Sequence, residues 1–168
     1  IGDWVFSHCS SLTSIEIPNS VTSIGRATFS DCSSLTSIEI PNSVTSIGSS
    51  AFHDCSSLTS ITFGDNSQLT SIGNNAFYEC SNLTSIEIPN SVTFIGDYAF
   101  YVCSSLTSIT FGENSQLTSI EENAFSGCSS LTSIEIPNSV TSIGFHAFYV
   151  CSSLTSIEIP NSVTSIGD

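Results

Sequence analysis

Basic side chains are almost missing from this sequence. Arg26 is the one Lys or Arg, set against 15 acidic residues, which gives a formal net charge of −14 and a pI of about 4.1. Such a surface repels nucleic acid phosphates and anionic lipid, which excludes both as partners. No apolar run approaches the ~20 residues of a membrane helix, so insertion is excluded as well. Methionine is absent, initiator included, and there is no signal segment. Ile1 opens in mid-repeat, so the chain is expected to be a piece of a longer or processed one. The seven cysteines include no C-x-x-C pair, which argues against a zinc site. His8, His53 and His146 stand at different places in the repeat, and no Ser, His and Asp set has a reason to converge. No enzyme activity, metal or cofactor is implied.

What the sequence does have is one phrase, stated over and over. Leu12, Leu35, Leu58, Leu83, Leu106, Leu131 and Leu154 are spaced by 23, 23, 25, 23, 25 and 23 residues, and Cys9, Cys32, Cys55, Cys80, Cys103, Cys128 and Cys151 repeat the series. A period in this range marks a stacked-coil protein, in which no unit hides its apolar face alone. The array reads as a partial coil 1–11, coils 12–34, 35–57, 58–82, 83–105, 106–130 and 131–153, and a partial coil 154–168. In the two long coils the turn Pro-Asn-Ser gives way to Gly64-Asp65-Asn66-Ser67-Gln68 and Gly112-Glu113-Asn114-Ser115-Gln116.

One coil is too small to fold by itself. Its apolar set, such as Leu35, Ile38, Ile40, Val44, Ile47, Ala51, Phe52 and Cys55, gains ~1.5–3 kcal/mol for each large side chain buried. Fixing the backbone costs ~1–2 kcal/mol per residue along the whole coil. Within a coil, Ile-Glu-Ile alternates like a strand, Pro-Asn-Ser makes a turn and Val-Thr-Ser-Ile is a second extended piece. Ala51, Phe52, Cys55 and Leu58 fall at helical spacing, which predicts one or two turns of α or 3-10 helix on the opposite side.

The phrase Leu-x-x-Ile-x-Ile-Pro-x-x-Val-x-x-Ile-Gly-x-x-Ala-Phe-x-x-Cys resembles the BspA-like class of leucine-rich repeats, known from treponemal surface proteins, and it covers essentially the whole chain. The resemblance implies a leucine-rich-repeat solenoid, parallel β-strands stacked on one face and short turns on the other. It also implies an extracellular or cell-surface location and a non-enzymatic role in binding or adhesion, with a host or neighbouring-cell protein as ligand.

Comparison of the coils with one another locates the variable positions. They are the pairs before Ala-Phe, read as Arg26 and Ala27, Ser49 and Ser50, Asn74 and Asn75, Asp97 and Tyr98, Glu121 and Glu122, and Phe145 and His146. The pairs after it run from Ser30 and Asp31 to Tyr149 and Val150. All are expected to face solvent. Tyr78, Phe94, Tyr98, Tyr101, Phe145, His146 and Tyr149 are therefore candidates for a protein-binding ridge, because aromatics supply much of the energy of recognition surfaces. The plain alternative is that they are tolerated fillers at the edge of the core.

Glu16, Glu39, Glu87, Glu135 and Glu158 form a rival surface, one outward acidic column in which Thr62 and Thr110 occupy the long coils. It is read either as a solvated face or as a site for a basic partner. Asp65 and Glu113 lack the dense spacing of a calcium loop. The cysteines are expected to be a column of buried free thiols, because stacked neighbours point in parallel. Finally, Ile166-Gly167-Asp168 echoes Ile1-Gly2-Asp3, so the alternative role is a structural, self-assembling or engineered consensus module whose copies stack head to tail through uncapped ends, which read equally as the cut ends of a longer array.

Overall fold

The computed structural model describes residues 1–167; Asp168, the last residue of the tripeptide that echoes Ile1-Gly2-Asp3, lies outside them. The chain is a parallel β-solenoid of about 6 turns. Coil 12–34 contributes one short strand and every later coil two. The first stack holds β2 (Ser37–Ile40), β4 (Ser60–Phe63), β6 (Ser85–Ile88), β8 (Ser108–Phe111), β10 (Ser133–Glu135) and β12 (Ser156–Glu158). The second holds β1 (Ser23–Ile24), β3 (Ser46–Ile47), β5 (Ser71–Ile72), β7 (Phe94–Ile95), β9 (Ser119–Ile120), β11 (Ser142–Ile143) and β13 (Ser165–Ile166).

The alternation read from Ile-Glu-Ile holds: in β2 and β6 the serine and glutamate are exposed and both isoleucines are buried. Neighbouring coils pair like with like, as in Ser37 with Ser60 and Ile38 with Ile61. Threonine columns reinforce this register from outside. Thr45, Thr70, Thr93, Thr118, Thr141 and Thr164 each donate Oγ1–H to the carbonyl of the threonine one coil earlier, at 3.0–3.3 Å.

The third side departs from expectation. No α or 3-10 helix forms there among the described residues; successive turns take its place. Left-handed residues recur in pairs four apart: Ser50 and Asp54, Asn75 and Glu79, Tyr98 and Val102, Asn123 and Gly127, His146 and Val150. Such residues interrupt a helix. The amide after each still bonds back three residues, as Ala51 N–H to Gly48 O at 3.2 Å, while the left-handed residues' own amides reach the following coil, Ser50 to Asn74 O and Asp54 to Tyr78 O at 2.8 Å, as do those of the phenylalanines between them. Phe29, Phe52, Phe77, Phe100 and Phe125 donate N–H to Ala51, Ala76, Ala99, Ala124 and Ala147 O at 2.8–2.9 Å. The spacing of Ala51, Phe52 and Cys55 suits this series of turns as well as a helix.

The core is made of identical residues in file. Phe6, Phe29, Phe52, Phe77, Phe100, Phe125 and Phe148 stack with centroids 5.1–5.7 Å apart and planes within 20°. Such pairs contribute ~0.5–1.5 kcal/mol each beyond area burial. Beside them runs the thiol column. All seven cysteines are free, and all but Cys9 are buried. Each buried thiol donates S–H to the carbonyl of the phenylalanine one coil earlier, Cys55 to Phe29 and Cys80 to Phe52 both at 3.1 Å. Burial pushes Cys32 and Cys151 up to about 11 and Cys55, Cys80, Cys103 and Cys128 higher still.

The register also corrects one reading of the variable pairs. Tyr98 donates N–H to Glu122 O and Asn123 to Phe145 O, so the pair in coil 106–130 is Glu122 and Asn123. Glu121 stands where the other coils have glycine. At Gly48 an added Cβ would lie 2.6 Å from the Gly25 carbonyl carbon, too close to tolerate. The glycines donate N–H to the isoleucine carbonyl one coil earlier, Gly48 to Ile24 at 2.8 Å and Gly96 to Ile72 at 2.9 Å. No such bond joins Glu121 to Ile95 among the described residues, Thr118 N to Thr93 O stretches to 3.4 Å, and β7 and β9 fall in separate sheets. The hydrogen bonds between these coils lapse where a side chain enters the glycine column.

Two outcomes are expected. Val150 is exposed yet holds φ at 57°, a conformation that costs a β-branched residue ~1–2 kcal/mol; V150N should raise the unfolding free energy by about 1 kcal/mol in urea titration, and no change would show that the turn is unstrained. The second concerns pH. A thiol whose folded pKa is raised stays protonated while the unfolded chain ionises, so stability is full below the ordinary 9.0 and falls as pH rises toward about 11. The urea midpoint should drop over that range, and C80A should lessen the slope by up to ~1.4 kcal/mol per pH unit; a flat profile would refute it.

Candidate functional site: two surfaces of the solenoid

Variable side chains of the turned side project from the rigid turns just described. Tyr78 and Tyr101 stack at 4.9 Å, and His53 extends the stack at 4.8 Å. Tyr98 leans on Tyr101 at 5.5 Å and donates its hydroxyl to Glu122 Oε1 at 3.1 Å, a bond that holds the Tyr98 pKa above its ordinary value. Two coils further on, Tyr149 stacks on His146 at 4.6 Å, and His146 on Phe145 at 3.7 Å.

Six of the seven aromatic candidates thus form two clusters on one side. Between them, coil 106–130 offers only Glu122, Asn123, Ser126 and Gly127. Phe94 is not part of either cluster; it is exposed in β7, paired with Ser71 on the second strand stack. The expectation that all variable positions face solvent fails at Ala27, Ser30 and Ser126, which are buried, as is Asn123 of the corrected pair.

The strand face is less uniform than a column of glutamates. Glu16, Glu39, Glu87, Glu135 and Glu158 are all exposed, but Glu39 pairs with Thr62 and Glu87 with Thr110, and Glu135 and Glu158 are paired neighbours. His8 Nδ1 lies 3.7 Å from Asp31 Oδ2, and no other side chain of basic type approaches a carboxylate as closely among the described residues, so these glutamates have no cationic partner there.

Where a long coil meets the next short one, the first strand stack opens. β4 and β6 keep a single pair, Ser60 with Ser85, whereas β2 and β4 have four; β8 and β10 fall in separate sheets. A proline explains part of this. Gly64 N–H donates to Ile40 O at 2.9 Å, but Pro89 and Pro137, the next coils' residues at that place, have no N–H to give to Phe63 or Phe111.

Each opening is a groove. One, of about 630 Å³, is lined by Phe63, Asp65, Glu87 and Pro89; the other, of about 660 Å³, by Phe111, Glu113, Glu135, Glu158 and Pro137. In the first, Ser91 Oγ donates to Leu69 O at 2.7 Å; in the second, Ser139 Oγ is buried without a partner. The overhanging turns are braced alike, Gln68 Nε2 to Asn66 O at 2.9 Å and Gln116 Nε2 to Asn114 O at 3.0 Å. Sequence reasoning did not find these grooves. Their signal was a coupled change in the long coils: Phe for Ile, Thr for Glu and a turn two residues longer.

Against known proteins, the model of the BspA type leucine rich repeat region matches residues 1–129 and 70–168. The chain belongs to that family. Among solved structures, this BspA-type array is similar to the Treponema pallidum leucine rich repeat protein TpLRR, with 32% identity and a TM-score of 0.82 over 93% of this chain and 71% of that one. It is similar also to a leucine rich cell surface protein of Faecalibacterium prausnitzii, at 30% identity and TM-score 0.59, over 99% of this chain and 62% of that one. A leucine-rich repeat protein of Bacteroides ovatus gives 29% and 0.57, over 99% and 54%. The chain thus spans between half and two thirds of the last two. No curated protein matches it.

Proposed function

We propose that this BspA-type array is a non-enzymatic recognition module of a secreted or cell-surface protein, and that it holds a protein ligand through the aromatic clusters of its turned side. One observation carries the reading. In a chain whose core columns scarcely vary, the positions that do vary place Tyr78, Tyr98 and Tyr101 in one cluster and Phe145, His146 and Tyr149 in another. Side chains of this type supply the anchors of protein interfaces. The likeness to a leucine rich cell surface protein supports the location.

The test is saturable binding of the fluorescently labelled chain to intact epithelial cells, read by flow cytometry. The triple variant Y98S/Y101S/Y149S should lose at least about tenfold in binding while its thermal unfolding midpoint stays within a few degrees of the parent. Equal binding by the two proteins removes the clusters from the reading.

A second reading is head-to-tail stacking of copies. Trp4 and Val5 at one end of the described residues and Ile157, Ile159 and Ile166 at the other are exposed, as they would be either on a stacking face between copies or where a longer array continues. Light scattering across a concentration series should then show elongated particles that grow with concentration and disappear when a charged coil caps each end. A monomer at every concentration excludes stacking.

A further inference from the structure

The two grooves of the strand face are copies of one site. Each pairs a half-buried phenylalanine, Phe63 or Phe111, with an acidic turn residue, Asp65 or Glu113, a strand glutamate of the next coil, Glu87 or Glu135, and a proline. The ladder is opened at both and the carboxylates are uncompensated in both. The grooves lie two coils apart, which at ~4.8 Å per coil is about 10 Å along the solenoid axis.

That spacing narrows the occupant. In a β-strand, side chains on one face recur at ~6.7 or ~13 Å, and neither fits; an α-helix brings i and i+7 to one face at ~10.5 Å, so the choice between it and a more extended helix rests on the groove floor as well as on length. In a polyproline II helix they recur every third residue, at ~9.3 Å. An aromatic and proline floor also suits such a helix, which loses little entropy on binding. Acidic walls ask for a cation, and guanidinium meets both requirements at once, lying flat on a phenyl ring while bonding a carboxylate through two N–H groups.

We infer that the strand face binds a basic segment in polyproline II conformation laid along the solenoid axis, with arginines three residues apart, one entering each groove. This surface lies on a different side of the coil from the aromatic clusters, so the inference stands apart from the function proposed for them. Binding through two linked grooves gains from the second contact being intramolecular, which makes it sensitive to spacing.

The probes are fluorescein-labelled peptides in which two arginines are separated by one, two or three prolines, followed by anisotropy. The two-proline peptide should bind at least about fivefold more tightly than either other, and more weakly as salt rises. D65N/E87Q and E113Q/E135Q should each abolish that preference. E16Q/E39Q, which removes the same charge from the same face outside the grooves, should keep it, and so should Y98S/Y101S/Y149S. The inference is overturned if affinity follows peptide charge without regard to spacing. It is equally overturned if E16Q/E39Q behaves like the groove variants, or if no peptide binds at about 1 mM.

Discussion

Register between coils is the constraint on which everything else depends. Strand rungs hold two sides of each turn to the same residues of the next, and the Phe-to-Ala amide bonds hold the third. Once like must lie on like, a side chain is chosen for how it packs on a copy of itself. Phenylalanine stacks at 5.1–5.7 Å, threonine passes a hydroxyl to the carbonyl behind it, and cysteine does the same with a thiol. The phrase repeats because a change in one coil must be accommodated by both neighbours.

Glu121 shows the strength of that constraint. The glycine column exists because the chain at that corner approaches the previous coil to within the reach of a Cβ. One glutamate there is enough to end the second sheet between β7 and β9. The buried thiols carry the same lesson in electrostatic form. They are retained as small hydrophobes with one weak hydrogen bond, and burial holds their protons well past the ordinary value. A chain with seven cysteines is thereby free of disulfides, although one of them, Cys9, is open to solvent.

Much of this was legible in the sequence. The leucine and cysteine spacings gave the coils, and Ile-Glu-Ile gave the burial of β2 and β6 residue by residue. The turned side was misread as helix because Ala51, Phe52 and Cys55 sit at a spacing that two structures share. What separates them is the left-handed backbone at Ser50 and Asp54, and no residue type announces that when alanine, tyrosine, histidine and valine all adopt it in other coils. The pairing of Glu121 with Glu122 failed for a related reason: with glycine gone, only the inter-coil bonds fix where the variable pair begins. The grooves escaped notice because they belong to no coil. They arise between one coil and the next, from a proline that cannot donate and a turn that overhangs.

The two surfaces differ in how the array produces them, and that difference bears on what each can recognise. The aromatic clusters sit at positions free to vary coil by coil, so their pattern is irregular, with coil 106–130 a gap between Tyr101 and Tyr149. An irregular pattern suits a folded protein ligand, whose own surface has no period. The grooves come from a unit of one long and one short coil, repeated intact. A periodic surface matches a periodic ligand, and the three-residue turn of polyproline II, at ~9.3 Å, comes nearer to the ~9.6 Å of two coils than the ~10.5 Å between i and i+7 of an α-helix. Lengthening the array by further long and short pairs would then add grooves in step with further arginines. Affinity would rise with each added pair, whereas extra short coils alone would leave it unchanged.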